Sequence, residues 1–277
     1  MYQNSNPTYP LEDSKAFIHA LTEEALAHRA LNHPFLRSLS DGTFKNPSLV
    51  LKDFTYNYLA YSKDFMRFLT ATIAQLEERE HRELLIANLM EEAGKVDADD
   101  EPALAEAGIK LDWIRGVPHP VLYHRFLKAV GMDENFRKKH EFCDESLTWS
   151  RTFLTVCTTG GAAQALGAMG LGTENIVKYI YRHITSAIDK HLPVSKEERV
   201  FFDLHAAVDD EHGEVIDEIA AFHAQFRRNR EPLRNGMLMA LNARAAFFDG
   251  MMVRAINLKE VAESQRPKAI SLFLKAS

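Results

Sequence analysis

The chain has 277 residues, with 33 Lys plus Arg against 39 Asp plus Glu, a formal charge of -6 with its 12 His neutral, and 46% hydrophobic residues. That apolar content can bury a sizeable core, which excludes disorder over most of the length and makes one domain over 1–277 the economical division. No apolar run reaches the roughly 18 residues that span a bilayer, and basic pieces no longer than Arg137-Lys138-Lys139 argue against a nucleic-acid groove. The opening Met1-Tyr2-Gln3-Asn4 lacks the regions of a signal peptide, and Cys143 and Cys157 form neither a disulfide framework nor a CxxC pair, so a reducing, cytoplasmic setting is expected.

Apolar residues recur at three- and four-residue spacing throughout, which predicts an all-α fold of about seven to eight helices. A first helix runs from about Leu11 to Ala30 and stops at Asn32-His33-Pro34. An aromatic-rich segment follows from about Pro47 to Glu78, and the charged run Glu77 to Arg82 marks a turn or a solvated stretch. Another helix reaches Glu92. The acidic interval from Lys95 to Pro118 reads as a long connection with one short helix, long enough to serve as a flap. Pro120 opens the next helix, which ends near Gly131. Helices over about Glu141 to Thr159 and Gly160 to His191 come next, the second kinked at the Gly167–Gly172 stretch. Ser195-Lys196-Glu197-Glu198 is a capping-box pattern opening a helix to about Arg228, and a last helix covers Pro232 to Ser264.

The segment Phe201 to His212 carries the chemistry. At about 100° per residue, His205, Asp209 and His212 lie within an arc of about 60° on one helix face, the face that also holds Phe201, Phe202, Ile216 and Ile219. A carboxylate between two imidazoles on an inward face is costly unless each is paired, and a bound cation pairs all three. A hydrogen-bonded His-Asp-His core network is the competing reading. Glu92 shares a face with Leu85 and Asn88, so it is the inward choice over Glu91, against the alternative of a surface glutamate. Glu174 shares a stripe with Ala163, Gly167, Gly170, Lys178 and Tyr181, where close helix packing with an exposed Glu174 is the alternative. His119 shares a face with Leu122, Tyr123 and Phe126 and reads alternatively as a cap or core histidine.

Asn88-Leu89-Met90-Glu91-Glu92-Ala93-Gly94, the run His119 to Leu127, Gly172-Thr173-Glu174 and His205-x3-Asp209-x2-His212 together resemble the haem-oxygenase-like di-iron oxidases and oxygenases, relatives of the chlamydial death-domain-associating protein. The segment His33 to Leu36 through Asp41 to Thr43 is similar to the opening of the wider superfamily of thiaminase II and pyrroloquinoline-quinone synthase. The resemblance covers roughly residues 30 to 225, with one departure: the interval between Glu92 and His119 is longer than the family pattern. It implies a haem-oxygenase-like fold, a homodimer, and two non-haem Fe(II) held by Glu92, His119, Glu174, His205, Asp209 and His212, acting with O2 on a small organic substrate. Three carboxylates and three imidazoles suit non-haem iron rather than a thiolate site. Lys178 and Tyr181 would then stand behind the ligands or face substrate, although a snorkelling Lys and a packed Tyr are the simpler readings.

Three other arrangements compete. Glu78-x-x-His81 with Asp209-x-x-His212 would make a ferritin-like site, but the run around Glu78 looks solvated and His205 would have no role. A metal-free oxidase or thiaminase-like hydrolase would need a nucleophile, for which Cys157 is the better thiol. A non-enzymatic helical interaction protein would use the inward polar residues only as a network. The aromatic stripe Tyr58, Tyr61, Phe65 and Phe68 reads as core or as a substrate wall.

Overall fold

Helix starts and stops follow from local chemistry in the computed structural model, which describes residues 7–260 apart from the side chains of 208–212 and 258–260. The first helix, α1 (Leu11–Ala27), ends short of the expected Ala30. His33 then starts a helix the sequence reading did not separate, α2 (Pro34–Asp41). Its ring Nδ1 accepts from Phe35 N–H, Pro34 supplies a preset φ, and Gly42 closes the helix at φ 69°. Asn46 caps α3 (Pro47–Ser62) by accepting from Leu49 N–H, again ahead of a proline. The expected 47–78 segment breaks after Ser62, and α4 (Phe65–Gln75) and α5 (Arg79–Glu92) follow.

The 95–118 interval is more ordered than a loop with one helix. It holds a 3₁₀ turn (Ala98–Asp100), α6 (Glu101–Glu106) and α7 (Leu111–Ile114), pinned by buried Leu104, Ile109 and Ile114. After α8 (His119–Ala129), α9 (Glu134–Arg137) and α10 (Asp144–Thr159), the kinked helix resolves into α11 (Gly161–Leu166), a π-helical stretch (Gly167–Glu174) and α12 (Asn175–His191). The Ser195–Glu198 box forms, with Ser195 N–H donating to the Glu198 carboxylate at 2.7 Å, but it closes a turn just before α13 (Val200–Ala224). The last helix is α14 (Arg227–Glu260), so residues 261–264 of the expected helix lie outside the described residues. The outcome is the expected all-α architecture cut into more and shorter segments; among the described residues there is no strand, and no helix is long and apolar enough to cross a membrane.

Buried on nearly every side from Leu49 to Ser62, α3 occupies the middle of the bundle. Its Tyr61 stacks on Trp149 of α10, ring centroids 3.9 Å apart, and Trp149 stacks in turn on Phe247 of α14. Each such aromatic, fully withdrawn from water, contributes about 1.5–3 kcal/mol. The π-helical stretch lies hard against α14: a Cβ added to Gly167 would sit 1.9 Å from the Leu233 carbonyl oxygen, and one on Gly236 the same distance from that of Gln164. The small-residue stripe therefore serves helix packing, as one reading of it held, and it fixes where Glu174, the stripe's one acid, must stand.

Candidate metal centre

Glu92 sits in the last turn of α5 and is buried, 4% exposed, on the same face as buried Leu85 and Asn88; neighbouring Glu91 is half-exposed. The next candidate in the chain, His119, begins α8 after Pro118. The interval between them, long for the resembling family, is closed at its base: Gly94 at φ 99° and Gly116 at φ 74° turn the chain, and Gly116 N–H donates to the Gly94 carbonyl at 2.8 Å. The excursion thus leaves and returns at one point. His119 Nδ1 consequently lies 3.1 Å from Glu92 Oε2.

The third group comes from α13, where His205 Nδ1 donates to the Phe201 carbonyl at 2.7 Å. With its proton held there, the ring presents Nε2, 3.8 Å from Glu92 Oε1. The two imidazoles meet edge to face with centroids 4.8 Å apart, and one ligand atom from each of Glu92, His119 and His205 lies within 4.8 Å of the others. Burial alone would raise the Glu92 carboxyl, but attraction from His119 and then His205 outweighs it and holds the group well below the usual carboxylate range. A buried carboxylate with two imidazoles converging on it is a set of donors suited to a divalent transition metal.

These three residues line a cavity with about 30 Å³ of room for water-sized molecules, shared with Glu174, Thr173, Tyr58, Tyr61, Phe65 and Tyr181. Glu174 is 5% exposed, not at a solvated kink, and stands outside the set whose atoms lie within 4.8 Å. Tyr181 is packed and cavity-lining at once: its hydroxyl is 3.2 Å from that of Tyr58, and its ring is 5.6 Å from His205. Lys178 turns away from the cavity, its Nζ 5.5 Å above the Tyr179 ring. Of the aromatic stripe, Tyr58, Tyr61 and Phe65 wall the cavity, and Phe68 is core. Asp209 and His212 belong to α13, and their side chains lie outside the described residues.

A family model described as iron-containing redox enzyme matches residues 52–245. The chain belongs to that family of iron-containing redox enzymes. Two curated relatives are each called 4-aminobenzoate synthase: one from Chlamydia pneumoniae is 23% identical over 74% of this chain and 81% of its own length, and one from Chlamydia muridarum is 23% identical over 66% and 68%. A solved CADD-like protein of unknown function from Nostoc punctiforme superposes with a TM-score of 0.68 at 15% identity, covering 92% of this chain and all of its own. A Shewanella denitrificans domain with a heme oxygenase-like fold gives 0.66 at 16% identity over 94% and 99%, and a Pseudomonas syringae TenA homologue 0.63 at 12% over 90% and 99%. The fold is haem-oxygenase-like.

Within this iron-containing redox enzyme, sequence reasoning misjudged one region. Glu78 and His81 are not in a solvated run: their side chains are 24% and 15% exposed. The residue that meets them is His223, which the sequence reading gave no role. A signal was present, because 18 residues separate His205 from His223, five full turns, which returns His223 to the same helix face. The Phe201 carbonyl that orients His205 was beyond reach, since a backbone acceptor leaves no trace in residue type. The thiol offered for a metal-free reaction, Cys157, is fully buried among core residues and pushed up to about 12 by that burial.

Proposed function

We propose that this iron-containing redox enzyme is a non-haem di-iron oxidase or oxygenase that uses O2 to oxidise a small organic substrate, by hydroxylation, N-oxygenation, desaturation or C-C cleavage. The observation that carries this reading is the buried convergence of Glu92, His119 and His205 on one cavity, with Glu174 lining the same space. Glu92, His119 and Glu174, joined by His205, Asp209 and His212 of α13, would hold two Fe(II); the three carboxylates would offset most of the irons' positive charge and the three imidazoles would add neutral donors. Iron, when bound, supplies the electrons for O2 reduction. The chain's own share is to keep each donor deprotonated and aimed. The Phe201 carbonyl holds the His205 proton on Nδ1 so that Nε2 is the donor atom. The walls of Tyr58, Tyr61, Phe65 and Tyr181 give the donors a largely apolar surround that limits the water around them.

The names of the two chlamydial relatives support a small aromatic or amino-bearing compound as the product class, and the same reading includes a homodimer, which sedimentation would test. The decisive measurement is metal content after anaerobic iron loading, with the optical change on adding O2. The expected result is about two irons per chain in the unmutated protein and less than half of that in His205→Ala, with the O2-dependent change abolished. Fewer than one iron per chain in the unmutated protein, with no change on adding O2, would sink the reading.

A further inference from the structure

A second set of donors lies at the far end of the helix pair that builds the iron centre. The helices α5 and α13 run antiparallel: Glu92 at the end of α5 meets His205 near the start of α13, while Glu78 and His81 at the beginning of α5 meet His223 near the end of α13. About 13 residues of helix at 1.5 Å each put the two sets roughly 20 Å apart. They cannot share a metal.

Glu78, His81 and His223 each offer a ligand atom within 4.8 Å of the others, and Glu78 Oε2 is 4.0 Å from His81 Nδ1. Three atoms so spaced leave a point within roughly 2.8 Å of all three, and movements of about 0.6–0.8 Å each would give the 2.0–2.2 Å bonds of a His₂Glu zinc site. The surroundings call for such an ion. Glu78 Oε2 and His81 Nδ1 are both buried and make no hydrogen bond. The neighbouring Arg82 is taken up by the carbonyls of Leu76 and Glu77, at 2.9 and 2.7 Å, and does not answer the carboxylate. His223 is 0% exposed, and the edge of the His81 ring packs on Phe222 with centroids 4.7 Å apart. Burial lowers both imidazoles, His223 to about 4. A carboxylate oxygen and a ring nitrogen buried without hydrogen bonds are costly, and a divalent cation between them removes the cost.

We propose that Glu78, His81 and His223 bind a divalent cation of the zinc class, at a site separate from the iron centre, and that the ion ties the start of α5 to the end of α13. Three nitrogen and oxygen donors without a thiolate give a site with an open position for water, and zinc outcompetes iron(II) at such a set. This inference stands whether or not the iron centre performs as proposed, because it uses none of the same residues.

The test is equilibrium dialysis of the full chain against Zn(II), repeated with Co(II) as an optical probe, for the unmutated protein, Glu78→Gln, His81→Gln and His205→Ala. Glu78 makes no hydrogen bond through its buried oxygen, so Glu78→Gln keeps the fold and decides the question should His81→Gln destabilise it. The expected result is a zinc equivalent that His205→Ala retains and that Glu78→Gln weakens at least tenfold, with loss of the visible Co(II) absorption and of the zinc-dependent rise in Tm, at unchanged iron content. Zinc affinity, Co(II) spectrum and Tm response all unaltered in Glu78→Gln would overturn the proposal, as would loss of every zinc equivalent in His205→Ala.

Discussion

Burial decides what each polar side chain of this protein can do, and the two cysteines are the plainest case. Cys157 is 0% exposed in the core formed with Val156 and Phe153 of α10, and desolvation drives its thiol to about 12, while the partly buried Cys143 is driven to about 11 by the same cause. At pH 7.5 either thiolate is a vanishing fraction, so neither is a nucleophile of the kind a metal-free hydrolase requires. Native protein exposed to a thiol-specific reagent at that pH is therefore expected to label Cys157 only after denaturation, and a serine at position 157 should leave turnover within about twofold while costing about 1–3 kcal/mol for a buried hydroxyl. Peptide mapping before and after unfolding checks the labelling; modification of native Cys157 with parallel loss of activity would reinstate it as a reactive group.

Helix junctions, rather than helix interiors, bring the donors together. The acidic excursion between α5 and α8 was expected to be a flap, yet its base is a closed pair of left-handed glycines, and a Cβ on Gly94 would meet Val117 N at 2.6 Å. Gly94→Ala adds that clash to an unfavourable φ, so a loss of about 2–3 kcal/mol is expected. Because the same closure sets His119 beside Glu92, iron binding should fall more than stability alone explains. Urea denaturation and iron content measured on the same preparations would check this; an iron content that tracks the folded fraction would refute the second half. The inward choice of Glu92 over Glu91 was legible because side-chain direction in a helix follows from spacing. The proximity of His119 was not, since two glycines and one backbone hydrogen bond decide it. Nor was the subdivision of the 47–78 segment, whose break at Lys63 and Asp64 carries neither Gly nor Pro.

At the scale of the whole molecule, the all-α class was readable from periodicity, whereas the pairing of helices rests on contacts between residues far apart in sequence. One of these pairings titrates. Asn175 of α12 donates to both carboxylate oxygens of Asp217 on α13 at 3.0 Å each, and its amide also reaches Thr22 of α1 at 3.5 Å, so three helices meet at one carboxylate. Desolvation raises Asp217 from the usual 3.8 to about 6; the Asn175 hydrogen bonds pull the other way, and the nearby Glu214 charge adds to the rise. A raised acid binds its proton more tightly in the folded than in the unfolded chain. Its contribution to stability is therefore fully present below about pH 4 and is lost as pH climbs through about 6. Asp217→Asn removes the titration and keeps an acceptor for Asn175. The stability of the unmutated protein minus that of Asp217→Asn is thus expected to fall by about 1–3 kcal/mol between pH 4 and pH 6.5 and to be flat above that. Paired urea melts across that range measure the difference directly, and cancel the histidines that titrate in both chains. A difference that rises with pH would mean that Asp217 is held charged in the fold, and that the junction of α1, α12 and α13 is stabilised by charge instead of strained by it.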